Sequence, residues 1–319
     1  MEFLYLAGGL ALLVLGGDVL VRHAGNIASR LGVSSSLIGL TIVGFGTSTP
    51  ELVTSLQAAF AGSPGISVGN VVGSNTANIL LILGLTALIS TLATKTAFLR
   101  RDMIVLSATA VVALLIVQTG YLERWIGILL VIALIGYVGL CIFDERTQSS
   151  TVQPSLPEEI SVARGGFVGD TIGFVSGLVM TLIGAKFFVD GAVSLASQLG
   201  VSDTLIGLTI VAVGTSLPEL ITSLIAALKK QADLAFGNIV GSNIFNVLFI
   251  LGITASVQPI PVPPQIARVD IWVMLAATLV LVAFALRGKL GRWSGGLLLG
   301  SYFAYSAWLL LNSSTDFSA

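Results

Sequence analysis

The chain has 319 residues, of which 10% are charged and 55% hydrophobic, whereas a soluble domain has about 25% charged residues. This composition excludes a soluble globular protein and predicts an all-α polytopic membrane protein. A net charge of −1 without a basic block argues against nucleic-acid binding, and one Cys with one His cannot complete a closed zinc site or an internal disulfide.

Runs of roughly 17 to 25 predominantly apolar residues are long enough to cross a bilayer as a helix. Ten such runs follow one another along this chain. We therefore predict ten transmembrane helices, near residues 3–21, 36–60, 67–90, 103–119, 125–143, 167–185, 204–228, 235–256, 271–286 and 294–311.

The connections between these runs carry their basic residues mainly on one side of the membrane. If the N-terminus lies outside, twelve basic residues are cytoplasmic: Arg22, Arg30, Lys95, Arg100, Arg101, Arg146, Arg164, Lys229, Lys230, Arg287, Lys289 and Arg292. The outer side receives three: Arg124, Lys186 and Arg268. Since Lys and Arg accumulate in cytoplasmic connections, we predict that both termini are extracytoplasmic.

The two halves of the chain repeat each other at an offset of 168 residues. Nineteen of 25 residues agree between LGVSSSLIGLTIVGFGTSTPELVTS (31–55) and LGVSDTLIGLTIVAVGTSLPELITS (199–223). Eleven of 16 agree between GNVVGSNTANILLILG (69–84) and GNIVGSNIFNVLFILG (237–252). Each half holds five predicted helices, and an odd number makes equivalent segments cross the membrane in opposite directions. We therefore predict two inverted five-helix repeats, an architecture common among transporters.

A polar segment divides the two predicted repeats. The first repeat covers 1–143, and the second covers 167–319. Their most similar parts lie at about 36–90 and 204–256. The segment 144–166 has the Ser, Thr, Pro and Glu content of a flexible linker, which we place in the cytoplasm.

Two carboxylates at equivalent positions lie about midway along the second and seventh predicted helices, Glu51 and Glu219. An acidic residue at a helix centre costs roughly 2.5 to 3.5 kcal/mol on insertion, so such residues normally face a cavity and mark an ion or proton path. The alternative interpretation is a protonated structural glutamate that is hydrogen-bonded inside the helix bundle.

Hydroxyl side chains precede each glutamate at helical spacing. Thr47, Ser48 and Glu51 stand at i, i+1 and i+4, as do Thr215, Ser216 and Glu219, so we expect the hydroxyl oxygens to lie on the carboxylate's side of the helix. The prolines next to the glutamates lack an N–H group. They are expected to free backbone carbonyls around 44–47 and 212–215.

The third and eighth predicted helices add two pairs of oxygen-bearing side chains, Ser74 with Asn78 and Ser242 with Asn246. A single Ser or Thr also has a simpler interpretation as a hydrogen bond within or between helices. Together these groups offer only oxygen donors, which suit Ca²⁺ or dehydrated Na⁺. Two carboxylates balance one Ca²⁺, two Na⁺ or two protons.

Four segments, GTSTPELVTS, GNVVGSNTAN, GTSLPELITS and GNIVGSNIFN, resemble the two alpha-repeats of the cation/calcium antiporter superfamily, with its prokaryotic sodium/calcium exchangers nearest in pattern. The resemblance implies that Glu51 and Glu219 coordinate Ca²⁺. It also implies sodium or calcium ligands at Thr47, Ser48, Thr215, Ser216, Ser74, Asn78, Ser242, Asn246 and the backbone carbonyls of Gly44 and Ala212. Several relatives have Asp where this chain has Asn246, and the GNAxE motif of proton-coupled relatives is absent.

The resemblance implies a secondary active antiporter that exchanges Ca²⁺ for Na⁺ by alternating access at a midplane site in a prokaryotic cytoplasmic membrane. Its partners are then these two ions and the lipid bilayer, with no cofactor and no enzymatic activity, and no nucleophile–base pair is visible. Proton-coupled exchange, potassium-dependent exchange and a passive cation channel remain as alternatives. Two-fold inverted symmetry within one chain favours transport over a pore.

Overall fold

The computed structural model describes residues 2–63, 65–93, 99–149, 166–200 and 212–313, and these residues are almost entirely helical. The helices of the first half are α1 (Glu2–Leu31), α2 (Ser35–Thr47), α3 (Thr49–Phe60), α4 (Gly65–Ile89), α5 (Leu99–Gln118) and α6 (Arg124–Ser149). Those of the second half are α7 (Phe167–Gln198), α8 (Ala212–Thr215), α9 (Leu217–Leu228), α10 (Ala232–Val257), α11 (Ile266–Leu286) and α12 (Arg292–Ser313).

Eight of these helices are long and apolar enough to cross a membrane, which agrees with a polytopic membrane protein. The helices α2 and α3 meet at an angle of 41° and together make a ninth candidate span. A tenth would need α8 and α9 together with residues 201–211, which lie outside the described residues. The prediction of ten transmembrane helices therefore stays a prediction.

The first and sixth spans are longer than the sequence predicts. Helix α1 continues ten residues beyond the expected end at residue 21, and α7 continues thirteen beyond residue 185. The polar residues that suggested an end lie on the extended helices and find partners there. Asp170 accepts hydrogen bonds from His23 Nδ1 (2.9 Å) and Asn26 Nδ2 (2.8 Å) and pairs with Arg30.

Ion pairs lie along α1 and α7. Lys186 lies 3.1 Å from Asp190 on α7, as its i,i+4 spacing predicts. Asp18 pairs with Arg22 one turn further along α1, at 3.0 Å. Its other carboxylate oxygen lies 2.6 Å from Lys229 Nζ, which follows α9. This second contact joins α1 to the helix that carries Glu219.

Glycines let α1 and α7 pack backbone to backbone in antiparallel orientation. A Cβ atom on Gly16 would lie 2.6 Å from the amide nitrogen of Thr181, and one on Gly184 would lie 2.6 Å from that of Leu13. A larger side chain would therefore push the helices apart. Small residues at this interface are typical of helix packing in membranes, where close approach supplies the van der Waals contact.

Four two-residue strands interrupt the all-α architecture: β1 (Leu92–Ala93), β2 (Tyr121–Leu122), β3 (Ile260–Pro261) and β4 (Lys289–Leu290). The strand β1 pairs with β4, and β2 pairs with β3, both antiparallel. An offset of 168 residues converts β1 into β3 and β2 into β4, so the two pairs are equivalent. Each strand of one half therefore pairs with a strand of the other half, as a two-fold relation between the halves requires.

Helix packing between the two halves also consists of pairs of equivalent contacts. A Cβ atom on Gly127 would lie 2.6 Å from the Gly252 carbonyl oxygen, and one on Gly295 would lie 2.6 Å from the Gly84 carbonyl oxygen. These are equivalent contacts at the 168-residue offset. The helices α4 and α10 form the centre: 94% of the α10 span is buried, against 28% of the α6 span. The core is therefore built around the two helices that carry the Ser and Asn motifs.

The glycine interface can be tested with two neighbouring substitutions on α1. A Cβ atom on Gly9 would lie 2.5 Å from the amide nitrogen of Phe188, whereas one on Gly8 meets nothing within 4 Å. We expect Gly9→Ala to lower the free energy of unfolding by about 1 to 3 kcal/mol. The Gly8→Ala control should be neutral or stabilising by about 0.5 to 1 kcal/mol. Thermal denaturation in detergent measures both, and an unchanged melting temperature for Gly9→Ala would contradict this packing.

Candidate cation-binding site

The two glutamates begin new helical segments. Glu51 lies in the first turn of α3 and Glu219 in the first turn of α9, each just after a proline and each only 1% exposed. Glu51 thus lies about midway along the bent span 35–60, which breaks at Ser48 (ψ 8°), close to Pro50. A carboxylate in a first turn is favoured by the positive end of the helix dipole.

Each glutamate is bonded by a serine of the other half. Ser48 Oγ donates to Glu219 Oε1 at 2.9 Å, and Ser216 Oγ donates to Glu51 Oε1 at 3.3 Å. Helical spacing within one half does not predict these two bonds, because they join residues of different halves. The exchange brings both carboxylates and both serines into one buried cluster.

The two threonines occupy different surroundings. Thr47 is buried, and its Oγ1 lies 3.1 Å from the Val43 carbonyl and 3.3 Å from Asn238 Oδ1. Thr215 is half-buried and faces a cleft of about 150 Å³ that Pro50 also lines. The structure thus places Thr47 inside the cluster and Thr215 at its edge.

The predicted carbonyl ligands are only partly freed. The Gly44 carbonyl accepts the Ser48 N–H at 3.1 Å and lies 3.5 Å from Ser242 Oγ. Pro50 instead removes the N–H that would have reached the Gly46 carbonyl. In the other half the Ser216 N–H donates to Val213, one residue beyond Ala212, which begins α8. The Gly44 carbonyl therefore keeps its helical hydrogen bond, and its second lone pair is what it could offer to a cation.

The four Ser and Asn residues of α4 and α10 are buried: Ser74, Asn78, Ser242 and Asn246. Both asparagines begin π-helical segments, Asn78–Leu83 and Asn246–Leu251. Such segments often occur at functional sites, because the wider turn alters where its side chains and carbonyls point.

Sequence reasoning missed a set of supporting asparagines. Asn70 Nδ2 donates to the Glu51 carbonyl and to Ser55 Oγ, both at 3.0 Å, and its equivalent Asn238 donates to Ser223 Oγ at 2.9 Å. These contacts tie α4 to α3 and α10 to α9. The sequence indicates them only by placing an Asn at both equivalent positions, 70 and 238.

A second asparagine pair connects the halves directly. Asn75 Nδ2 donates to the Asn243 carbonyl at 3.1 Å, and Asn246 Nδ2 donates to Asn75 Oδ1 at 3.0 Å. Sequence reasoning left Asn75 and Asn243 undecided, because each projects about 100° away from the neighbouring serine. These bonds hold the two central helices together beside the carboxylates.

The cluster has more acceptors than donors. Four of the buried oxygens without a hydrogen-bond partner among the described residues belong to predicted ligands: Glu51 Oε2, Glu219 Oε2, Asn78 Oδ1 and Asn246 Oδ1. Within the same part of the chain, neither glutamate forms an ion pair, and no three His, Cys, Asp or Glu residues gather as a metal site. Two buried carboxylates without a basic partner fit a cation held mostly by neutral oxygens.

The chain matches known proteins over nearly its whole length. The family model described as sodium/calcium exchanger protein matches residues 1–143 and 170–311. The putative antiporter CaxA of Alkalimonas amylolytica is 39% identical over 96% of this chain and 97% of its own length. The sodium/calcium exchanger MaX1 of Methanosarcina acetivorans is 38% identical, over 96% of this chain and 97% of its own.

A solved structure has the same fold. The sodium-calcium exchanger NCX_Mj, soaked with 2.5 mM Na⁺ and 0.1 mM Ca²⁺, superposes with a TM-score of 0.83 and 35% identity. The superposition covers 96% of this chain and 97% of that one.

Cation binding between the carboxylates can be tested by stability alone. We expect Ca²⁺ at a hundred times its dissociation constant to stabilise the protein by about 2.7 kcal/mol. The Glu219→Gln variant should lose this stabilisation, yet melt no lower than the wild type in chelator, because the substitution removes a buried unpaired charge. Melting curves of purified protein measure both effects, with Asp190→Asn as the exposed control. A full Ca²⁺ shift in Glu219→Gln would contradict the site.

Proposed function

Because this chain belongs to the sodium/calcium exchanger family, a family of transporters rather than enzymes, we propose that it exchanges Ca²⁺ for Na⁺ across the membrane. The two ions alternate at one site between Glu51 and Glu219. The ligands are those named from the sequence: the two carboxylates, Thr47, Ser48, Thr215, Ser216, Ser74, Asn78, Ser242, Asn246 and the carbonyls of Gly44 and Ala212.

One observation carries this proposal. Glu51 and Glu219 are buried, each accepts a hydrogen bond from a serine of the other half, and neither has a cationic partner among the described residues. Their combined charge of −2 is balanced by one Ca²⁺ or by two Na⁺. Because the same oxygens serve both ions, the two ions compete for the site. Competition for one site is the physical basis of exchange, since an occupied site must release one ion before it accepts the other.

The proposed architecture is a pair of inverted five-helix repeats, residues 1–143 and 167–319, joined by the cytoplasmic linker 144–166. The exchange of equivalent contacts between β1–β4 and β2–β3 supports a two-fold relation between the halves. In inverted-repeat transporters the site lies near the bilayer midplane at the repeat interface, and alternating access follows from the pseudo-symmetry. The serine–glutamate cluster occupies that interface in this proposal.

Access from one side follows the cleft next to Thr215 and Pro50, whose wall includes Lys186 and Asp190 of α7. Lys186 belongs to the outer side in the predicted topology, so this cleft is the proposed route for external ions. The Asp18–Lys229 ion pair lies towards the other end of α1 and closes the cytoplasmic side in this arrangement. Opening that side requires the pair to separate.

The central prediction concerns the two carboxylates. In proteoliposomes with an outward Na⁺ gradient, Glu51→Gln or Glu219→Gln should lower ⁴⁵Ca²⁺ uptake at least about 100-fold, since unpairing a buried charge costs about 3 to 5 kcal/mol. The Glu123→Gln control should keep uptake near the wild-type rate, because Glu123 is exposed just before α6 and lies outside both the cluster and the cleft. Normal uptake by Glu51→Gln would refute the assignment.

The coupling ion is predicted from the charge of the site. Asn78 and Asn246 are neutral, so a K⁺ carried together with Ca²⁺ would add an uncompensated charge in a buried site, which costs several kcal/mol. Na⁺-driven ⁴⁵Ca²⁺ uptake should therefore be the same with K⁺ absent from both sides or present on both. A strict K⁺ requirement would indicate a third carboxylate in the site, and uptake driven by a pH gradient without Na⁺ would establish proton exchange instead.

Membrane orientation gives a further prediction. The excess of basic residues on one side places the 144–166 linker in the cytoplasm and both termini outside, in a prokaryotic cytoplasmic membrane. With Cys141 replaced by Ala, a cysteine introduced at Ser155 should resist an impermeant thiol reagent in intact cells and react after lysis. Labelling in intact cells would reverse the topology.

A further inference from the structure

A crevice opens between the first two helices and α6, away from the cation site. Its volume is about 380 Å³, within the range of small-molecule sites. Its wall includes Leu37, Ile42, Val138, Ile142, Glu145 and Arg146. Apolar side chains make up most of this wall, and the two charged residues are neighbours near the C-terminal end of α6.

Glu145 is the unusual member of the wall, because its side chain is only 7% exposed. One carboxylate oxygen accepts the backbone N–H of Ser34, at the start of α2. The other oxygen, Oε2, is buried and has no hydrogen-bond partner among the described residues. A buried acceptor without a donor is costly, and more so when it is charged. The crevice therefore contains a buried carboxylate oxygen that lacks a hydrogen-bond donor.

The crevice is polar at one end and apolar at the other. Glu145 and Arg146 lie in the last turns of α6, which ends at Ser149. Val138 lies two turns earlier on the same helix, about 10 Å deeper at 1.5 Å per residue. On the facing wall, Leu37 and Ile42 lead from the surface into the span. This polarity matches an amphiphile with its headgroup at Glu145 and a chain along α6.

We propose that this crevice binds a phospholipid with a primary amine headgroup, phosphatidylethanolamine. Its ammonium donates to Glu145 Oε2, its phosphate lies beside the exposed guanidinium of Arg146, and one acyl chain fills the apolar part. The amine distinguishes it from phosphatidylcholine, whose quaternary nitrogen has no N–H group. Phosphatidylserine brings a further carboxylate next to Glu145, which repulsion disfavours.

The site belongs to one half of the chain only. At the 168-residue offset the counterpart of Glu145 is Ser313, which has no charge. The proposal therefore predicts one such lipid for each chain. It rests on membrane embedding and on the crevice, not on the identity of the transported ions.

Native mass spectrometry of delipidated protein, titrated separately with phosphatidylethanolamine and phosphatidylcholine, tests the proposal. We expect one phosphatidylethanolamine to bind about tenfold more tightly than phosphatidylcholine, because a charge-assisted hydrogen bond is stronger than a neutral contact. Glu145→Gln should reduce this preference to near unity. The matched control is Glu123→Gln, which removes an exposed carboxylate just before the other end of α6 and should leave the preference unchanged.

A second variant separates lipid binding from the contact between Glu145 and Ser34. Ile142→Trp fills the crevice from its exposed wall and leaves Glu145 intact. It should abolish the preferential binding even if Glu145→Gln fails to fold, with gel filtration and melting curves as checks of folding. No preference between the two lipids in the wild type, or an unchanged preference in either folded variant, would overturn the proposal.

Discussion

The proposed cation site depends on two carboxylates that are kept out of water. Glu51 and Glu219 are buried, and their hydrogen-bond donors are neutral hydroxyls rather than basic side chains. A buried carboxylate is tolerated when an opposite charge is near. The described side chains near these carboxylates are neutral, so the proposed site obtains its opposite charge from a bound cation.

The duplication explains how one chain builds this site. Each half contributes a broken span with its glutamate and a central helix with its asparagines, and each half bonds to the glutamate of the other. Neither half alone could complete the cluster, since Ser48 needs Glu219 as Ser216 needs Glu51. Glycine contacts such as Gly127 with Gly252 bring the backbones close enough for this exchange. The same exchange makes the cluster sensitive to any shift of one half against the other.

The sequence reveals which residues are at the site better than it reveals how they are joined. The cost of burying charge identifies Glu51 and Glu219, and the repeat identifies their companions, so most members of the cluster are predictable. The partner of Ser48 is not, because helical spacing relates residues of one helix and this bond joins residues of different halves. Asn70 and Asn238 were not predicted, because the presence of an Asn in both repeats does not indicate which carbonyl or hydroxyl its side chain bonds. Helix α1 is longer than predicted because Asp170 provides partners for polar residues near its end.

The ion pair between Asp18 and Lys229 is a contact in which the two halves of the chain differ. At the 168-residue offset Asp18 corresponds to Lys186 and Lys229 corresponds to Ala61, so no equivalent bridge can form at the opposite end. A partly exposed pair contributes at most about 1 kcal/mol, which is roughly a fivefold population ratio. In the proposed transport cycle this pair favours one side of the membrane, and because salt screens a partly exposed pair, that preference depends on ionic strength. The difference between the two proposed access routes is then set by Asp18 and Lys229, which lie outside the proposed ligand set.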